Sequence, residues 1–289
     1  RGLPLLLPLM FALLLYALRG WRGWGVFAAF VCLAVQLRFC AAIPSLTDLC
    51  FLFLCDGALL IFCARSGWFG LGRKLEMLLS ILPLAACIVA GLTLGALWFS
   101  RQLALVLDPY AQIEGRGYRI AMLRELLQNA RLIGQGGAGT YSGPHLARYG
   151  CDGIASLQDH AMTLLVHRCG WLALIALAAL LSALLIVAFR RCRRQESMLA
   201  RLVAYSVLLS FGAQTVAYLL CDLTLIPLGG GAAFPLFTFG LRTLLVNMTQ
   251  LGFLLSTLRT GSVVRDQDVF AAQLRPKHRL RVKFTWEKA

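Results

Sequence analysis

The chain has 289 residues, of which 59% are hydrophobic and 14% are charged, and its mean hydropathy is +0.75. A soluble domain carries about 25% charged residues, so this composition excludes an ordinary soluble enzyme, a disordered protein and a secreted disulfide scaffold. The 28 Lys and Arg outnumber the 13 Asp and Glu, which gives a net charge of +15. We attribute this excess to the cytoplasmic loops of a membrane protein rather than to a nucleic-acid site.

Apolar runs recur along the chain, and a helix that spans a bilayer needs about 20 mostly apolar residues. Backbone groups must be satisfied within lipid, and no segments of alternating polarity typical of a barrel occur, so we predict an all-α, polytopic integral membrane helical bundle. The seven predicted spans are Leu3–Leu18, Trp24–Ala42, Asp48–Ala64, Leu75–Ser100, Ala161–Phe189, Leu199–Ile226 and Phe237–Leu258.

Basic residues concentrate in alternate loops, which indicates that these loops are cytoplasmic. They follow the first, third and fifth spans and continue after Leu258. The chain therefore divides into a transmembrane domain, 1–260, whose large external loop covers about 101–160, and a basic cytoplasmic tail, 261–289. The basic residues between the spans are Arg19, Arg22, Arg65, Arg73, Lys74, Arg190, Arg191, Arg193 and Arg194.

Charged residues also lie in or beside the apolar runs, where such residues often mark functional sites. By the orientation above, five of them fall towards the outer half of the membrane. Arginines and carboxylates at that level suit an anionic, lipid-linked substrate whose phosphates bind Arg. The alternative is that several are interfacial and extend their charged ends to water. The five are Arg38, Asp48, Arg168, Asp222 and Arg242, and Asp56 and His167 also lie in apolar runs.

Five segments carry a resemblance to a known family. Residues 214–227, QTVAYLLCDLTLIP, resemble the pattern Q-x-x-x-N-x-x-x-N-L-x-L-x-P of the SEDS family, which includes the RodA, FtsW and SpoVE proteins. Residues 235–247, PLFTFGLRTLLVN, look like its P-F-x-S-Y-G-G-S-S-L-L-V-N segment. Gly117-Tyr118 and residues 128–137, QNARLIGQGG, resemble its G-Y-Q and Q-S-x-x-A-I-G-S-G-G elements, and SLTDL at 45–49 resembles its Q-P-D-L-G turn.

The resemblance implies a ten-span protein of which the seven spans here are the fourth to the tenth, so we expect the N-terminal spans to be missing. It also implies a function, because the family polymerises lipid II into peptidoglycan strands at the outer face of the bacterial cytoplasmic membrane. The essential Asp of the family lies in an external P-E-x-H-T-D-F-I-F stretch. Here that stretch reads ASLQDHAM at 155–162, which places Asp159 on the Asp of the family.

The implied activity is that of a lipid II glycosyltransferase with Asp159 as the base that activates the acceptor sugar hydroxyl. A second reading is that Asp159 caps the helix that begins at Ala161, and the two roles are compatible. Arg242, Arg168 and Arg38 are candidates to hold the pyrophosphate. Asp222, Asp48 and Gln214 complete the predicted substrate-binding set.

Several family positions are substituted. The two acids of A-E-E-L-G become His167 and Arg168, the two Asn become Tyr218 and Asp222, and S-Y-G-G-S-S becomes TFGLRT at 238–243. The chain is therefore expected to be a divergent member. The alternative function, of another class, is a non-catalytic transporter or scaffold for a lipid-linked cell-envelope substrate, and broken helices and intramembrane charges would suit it.

The resemblance also implies the partners. We expect a class B penicillin-binding protein, lipid II and the membrane itself, with the C-terminus in the cytoplasm. No cofactor is implied, since the lipid-linked donor is already activated; a divalent cation could assist, but no sequence feature marks a metal site.

Overall fold

The computed structural model describes residues 3–19, 21–41, 46–108, 117–134, 161–225, 234–235 and 241–260. Within these ranges the chain forms helices joined by turns, with no strand. The all-α prediction is therefore confirmed for the described residues. The helices are α1 (Leu3–Ala17), α2 (Arg22–Ala41), α3 (Leu46–Arg65), α4 (Arg73–Leu107), α5 (Gly117–Gln128), α6 (Ala161–Cys169), α7 (Trp171–Arg193), α8 (Met198–Asp222) and α9 (Leu241–Thr260).

Three of the described helices are long and apolar enough to cross a membrane. They are α2 over Gly23–Cys40, α7 over its whole length and α8 over its whole length. Helix α7 is only 11% buried although its residues are strongly apolar, whereas 61% of α8 is buried. An apolar helix that shows most of its surface outwards fits lipid rather than water as its surroundings. The structure thus agrees with the prediction of a membrane protein that contains transmembrane helices.

Helix α8 is the centre of the bundle. It packs against α1, α3, α7 and α9, and its last turns also contact α6. Its apolar side chains, among them Leu202, Val207 and Phe211, join side chains of α1, α2 and α3 in the main core. Since α8 is enclosed by other helices, its polar side chains must find partners within the protein.

The turn between α3 and α4, residues 66–72, is attached to the end of α1. The Trp68 indole Nε1–H donates to the Leu15 carbonyl at 2.8 Å, and the Arg19 guanidinium lies 4.9 Å from the centre of the Trp68 ring. Trp68 is buried. These contacts fix the end of the bundle at which α3 ends and α4 begins.

The helices differ in three respects from those that the apolar runs suggested. Helix α4 continues to Leu107 instead of ending near Ser100, and α5 lies within the predicted external loop. The run Ala161–Phe189 is divided into α6 and α7 at Gly170, which has φ +95°. Hydropathy does not register this break because apolar residues continue on both sides of it.

Candidate functional site

The first turn of α6 is held by the last two turns of α8. The Ala161 N–H donates to the Tyr218 hydroxyl at 2.8 Å, and the Thr163 N–H donates to the Asp222 carboxylate Oδ2 at 2.8 Å. The Thr163 hydroxyl donates to the backbone carbonyl of Asp222 at 3.0 Å. The first amides of a helix have no partner within the helix, so α8 supplies acceptors that would otherwise have to come from the chain before α6.

These contacts are shielded from solvent. Thr163 and Asp222 are each 1% exposed, and Tyr218 is 4% exposed. The side chain of Tyr218 packs on Phe234, with ring centroids 5.2 Å apart. A buried donor left without its acceptor destabilises a protein by about 1–3 kcal/mol. These hydrogen bonds therefore stabilise the attachment of α6 to α8.

The break between α6 and α7 is closed by residues 131–134. The Trp171 N–H donates to the Arg131 carbonyl at 3.1 Å, the Leu172 N–H to the Leu132 carbonyl at 3.1 Å, and the Gly134 N–H to the Cys169 carbonyl at 3.2 Å. A Cβ on Gly170 would lie 2.5 Å from the Leu132 carbonyl oxygen. Glycine is therefore required here by both its positive φ and the close approach of the backbone.

An apolar cluster fills the space between these segments. Met162 and Val166 of α6, Leu174 of α7 and Tyr218 of α8 are buried together with Phe234, and Leu127 and Ala130 pack at its edge. We call this arrangement the α6 junction: residues 131–134, 161–174, 218–222 and Phe234. It joins four segments that are distant in sequence.

The predicted catalytic residue Asp159 lies outside the described residues, so its role stays a prediction. The sequence places it two residues before Ala161, directly ahead of the hydrogen bonds that fix α6. Tyr218 and Asp222 of α8 are acceptors of the Ala161 and Thr163 amides, and the capping role proposed for Asp159 stays a prediction.

Asp222 and Gln214 are both buried on α8 but serve different neighbours. Asp222 belongs to the α6 junction. Gln214 is 4% exposed, and its Nε2 donates to the Ser210 hydroxyl at 3.1 Å. Ser210 also contacts Gln250 of α9, whose amide donates to the Leu5 carbonyl of α1. In this structure Gln214 therefore contacts, within α8, the serine that links α8 to α9, and its Oε1 has no hydrogen-bond partner among the described residues.

The three predicted arginines are exposed, as a group that meets a substrate must be. Arg38 lies in the last turn of α2 and Arg168 in the last turn of α6, where a positive charge also favours the helix dipole. Arg242 lies in the first turn of α9 and forms no ion pair with any described carboxylate. Asp48 is half-buried in the first turn of α3, again on the favourable side of the dipole.

Sequence reasoning assigned no role to four buried residues: Thr163, Tyr218, Asp56 and Asn247. Thr163 and Tyr218 hold α6, and their only signal was that Tyr218 occupies a polar position of the family pattern. Asp56, which was noticed in an apolar run but given no role, is fully buried in α3. Asn247 of α9 is also fully buried, and neither atom of its amide has a partner among the described residues.

No group of three His, Cys, Asp or Glu side chains within the described ranges is placed to hold a metal ion. No protein-family model matches the sequence, and none of the curated protein sequences matches it.

Proposed function

We propose that the chain is a divergent member of the SEDS family: a lipid II glycosyltransferase, or peptidoglycan polymerase, that builds glycan strands at the outer face of the bacterial cytoplasmic membrane. The process would be cell elongation, division or sporulation. Lipid II supplies the activated sugar, so the reaction needs no nucleotide cofactor. The proposal rests on the sequence resemblance and on the α6 junction.

The convergence of segments at the α6 junction is the observation that carries the proposal. Residues 131–134, 218–222 and Phe234 belong to or adjoin segments that resemble three separate family motifs, and all of them contact α6 or the start of α7. Residues that jointly form an active site must meet in space although they are distant in sequence. The α6 helix that they hold follows directly after Asp159.

The proposed chemistry is an acid–base reaction at Asp159. The Asp159 carboxylate takes the proton from the acceptor sugar hydroxyl as its oxygen attacks the anomeric carbon of the donor, and undecaprenyl pyrophosphate leaves with the electron pair of the broken bond. Arg242, Arg168 and Arg38 are the proposed binders of the departing pyrophosphate, since guanidinium pairs well with phosphate oxygens. Tyr218 and Asp222 supply acceptors for the first amides of α6, a helix that begins two residues after Asp159.

The proposed topology has seven spans, with residues 101–160 largely outside the cell and the C-terminus in the cytoplasm. The asymmetric distribution of arginine supports it. Labelling of Ser142→Cys in intact cells, in a background without reactive native cysteines, tests the orientation. Labelling that needs prior permeabilisation would invert the topology and remove the proposed site from the outer face.

The deciding experiment is lipid II polymerisation by the full-length protein, purified with a class B penicillin-binding protein as its proposed partner. Loss of a general base typically costs about 10²–10⁴ in rate, so we expect Asp159→Asn to abolish strand synthesis. The matched control is Asp152→Asn, in the same loop, which should retain activity. Both variants should accumulate in membranes and bind the partner. Near wild-type polymerisation by Asp159→Asn would refute the catalytic assignment.

The second candidate is a transporter or scaffold for a lipid-linked envelope substrate. A fully buried carboxyl in the middle of α3, Asp56, favours it, since transporters often carry such groups within their helices. A transporter should tolerate Asp159→Asn, whereas the polymerase should not.

A further inference from the structure

Asp56 is a carboxyl group enclosed by protein and not used by the proposed reaction. It is 0% exposed, and neither of its oxygens accepts a hydrogen bond from a described residue. It is the eleventh residue of the 20-residue helix α3, about 14 Å from the end of that helix at Arg65. Its position is therefore far from both ends of the helix.

Two further buried polar side chains lie on α4, the partner of α3 in a helical hairpin. Glu76 and Ser80 are both 0% exposed, and the Ser80 hydroxyl has no hydrogen-bond partner among the described residues. Glu76 accepts the Leu71 N–H at 2.9 Å through Oε1, whereas its Oε2 has no such partner. The two residues are four apart, so they lie on the same face of α4.

Glu76, Ser80 and Asp56 lie at different distances from the 66–72 turn, measured along the axes of α3 and α4. A Cβ on Gly57, next to Asp56, would lie 3.4 Å from Leu84, so this face of α4 meets α3 beside Asp56. Measured along each helix from the 66–72 turn, Glu76 lies about 5 Å deep, Ser80 about 10 Å and Asp56 about 14 Å. The three oxygen-bearing groups therefore lie at successive depths from the turn to the middle of the hairpin, without a direct hydrogen bond between them.

Among the described side chains, no buried basic group balances the charge of an ionised Asp56. None of the described Lys or Arg side chains is buried. An isolated carboxylate in a protein interior is very costly, and the group avoids that cost by binding a proton. The titratable or charged residues on the helices that contact α3 are Tyr16 of α1; Arg22, Cys32, Arg38 and Cys40 of α2; Arg73, Lys74, Glu76, Cys87 and Arg101 of α4; and Arg201, Tyr205, Tyr218, Cys221 and Asp222 of α8.

We propose that Asp56 is a proton-binding site, loaded from the 66–72 turn through Glu76 and Ser80. One proton enters at Glu76. Because Glu76, Ser80 and Asp56 are not hydrogen-bonded to one another, each transfer runs through a bridging water molecule that accepts one proton and releases another, first from the Glu76 carboxyl to the Ser80 oxygen and then from the Ser80 hydroxyl to Asp56. Glu76 and Ser80 end unchanged, and Asp56 gains one proton. The site does not depend on the proposed polymerase activity, because it lies on α3 and α4, away from the α6 junction.

Infrared spectroscopy of the full chain in lipid nanodiscs tests the proposal. At neutral pH we expect the carbonyl stretch of a protonated carboxyl that lacks a hydrogen bond, shifted in D2O. The band should be lost in Asp56→Asn and retained in the control Asp108→Asn, since Asp108 is exposed at the end of α4. Asn keeps the size of Asp and removes only the titratable group, so the variant should fold.

The relay has its own measurement. Ser80→Ala should slow the hydrogen–deuterium exchange of the Asp56 carboxyl, whereas Ser206→Ala, a buried serine of α8 that donates to the Val203 carbonyl, should not. Absence of the band from the wild-type protein would overturn the site whether or not any variant folds. If the band disappears when sodium is added at constant pH, the site binds a monovalent cation and the proton-site proposal is overturned. Equal exchange rates in Ser80→Ala and Ser206→Ala would overturn the relay.

Discussion

Asp222 could serve the α6 junction in two ways, by holding α6 in place or by binding substrate directly. The substitution Asp222→Ala distinguishes these two roles. The substitution removes the acceptor of the Thr163 N–H and leaves that amide buried, while the bond from the Thr163 hydroxyl to the backbone carbonyl of residue 222 remains. A buried donor without a partner costs about 1–3 kcal/mol, and loss of a helix cap costs about 0.5–2 kcal/mol. We take about 1–3 kcal/mol as the expected local loss.

Amide hydrogen exchange in α6 is the suitable assay, because it measures local opening without requiring reversible unfolding of the whole protein. Since about 1.4 kcal/mol corresponds to a factor of ten, the Thr163 amide should exchange about 5- to 150-fold faster in Asp222→Ala. Asp222→Asn keeps an acceptor oxygen and should recover most of the protection. Asp108→Ala, at an exposed position, should leave α6 unchanged.

The outcome that would refute this reasoning is unchanged α6 exchange in Asp222→Ala. If polymerisation were then lost equally in the Ala and Asn variants, Asp222 would act on the substrate through its charge. Recovery of both protection and activity by Asn would instead identify Asp222 as a positioning residue that holds α6.

Two further substitutions test the backbone at the same junction. Gly170→Ala places a Cβ 2.5 Å from the Leu132 carbonyl and forces an L residue to positive φ, so we expect a loss of more than about 1–2 kcal/mol and faster exchange of the Trp171 and Leu172 amides. The control Gly212→Ala, which meets no atom within 4 Å, should be neutral or stabilising; equal effects would contradict the steric argument. Thr224 has φ 55° directly after α8, where the Leu225 N–H donates to the Leu220 carbonyl in a Schellman-type ending. Thr224→Gly should therefore stabilise this end by about 0.5–1 kcal/mol and slow the exchange of the Leu225 amide, while Thr224→Ala should not.

The proposed family and function came from sequence alone, because they depend on short patterns whose order along the chain is visible without coordinates. The family resemblance also selected Asp222 and the neighbourhood of Asp159, but it could not assign Asp222 a partner. Hydrogen bonding between Asp222 and Thr163 joins residues 59 positions apart, and no local pattern encodes such a contact.

The sequence by itself determined that this chain forms helices, with several runs apolar enough for a membrane, since hydropathy and length are properties of local segments. Tertiary structure decided which of those helices is central: α7 and α8 are both strongly apolar, yet α8 is enclosed and α7 is largely exposed. It also decided the roles of polar groups. Ser210 and Asp56 both lie in apolar runs, but Ser210 meets Gln250 of the neighbouring helix α9, whereas Asp56 is enclosed without a described partner. Whether a buried polar group is satisfied depends on neighbouring helices, and only packing brings those helices together.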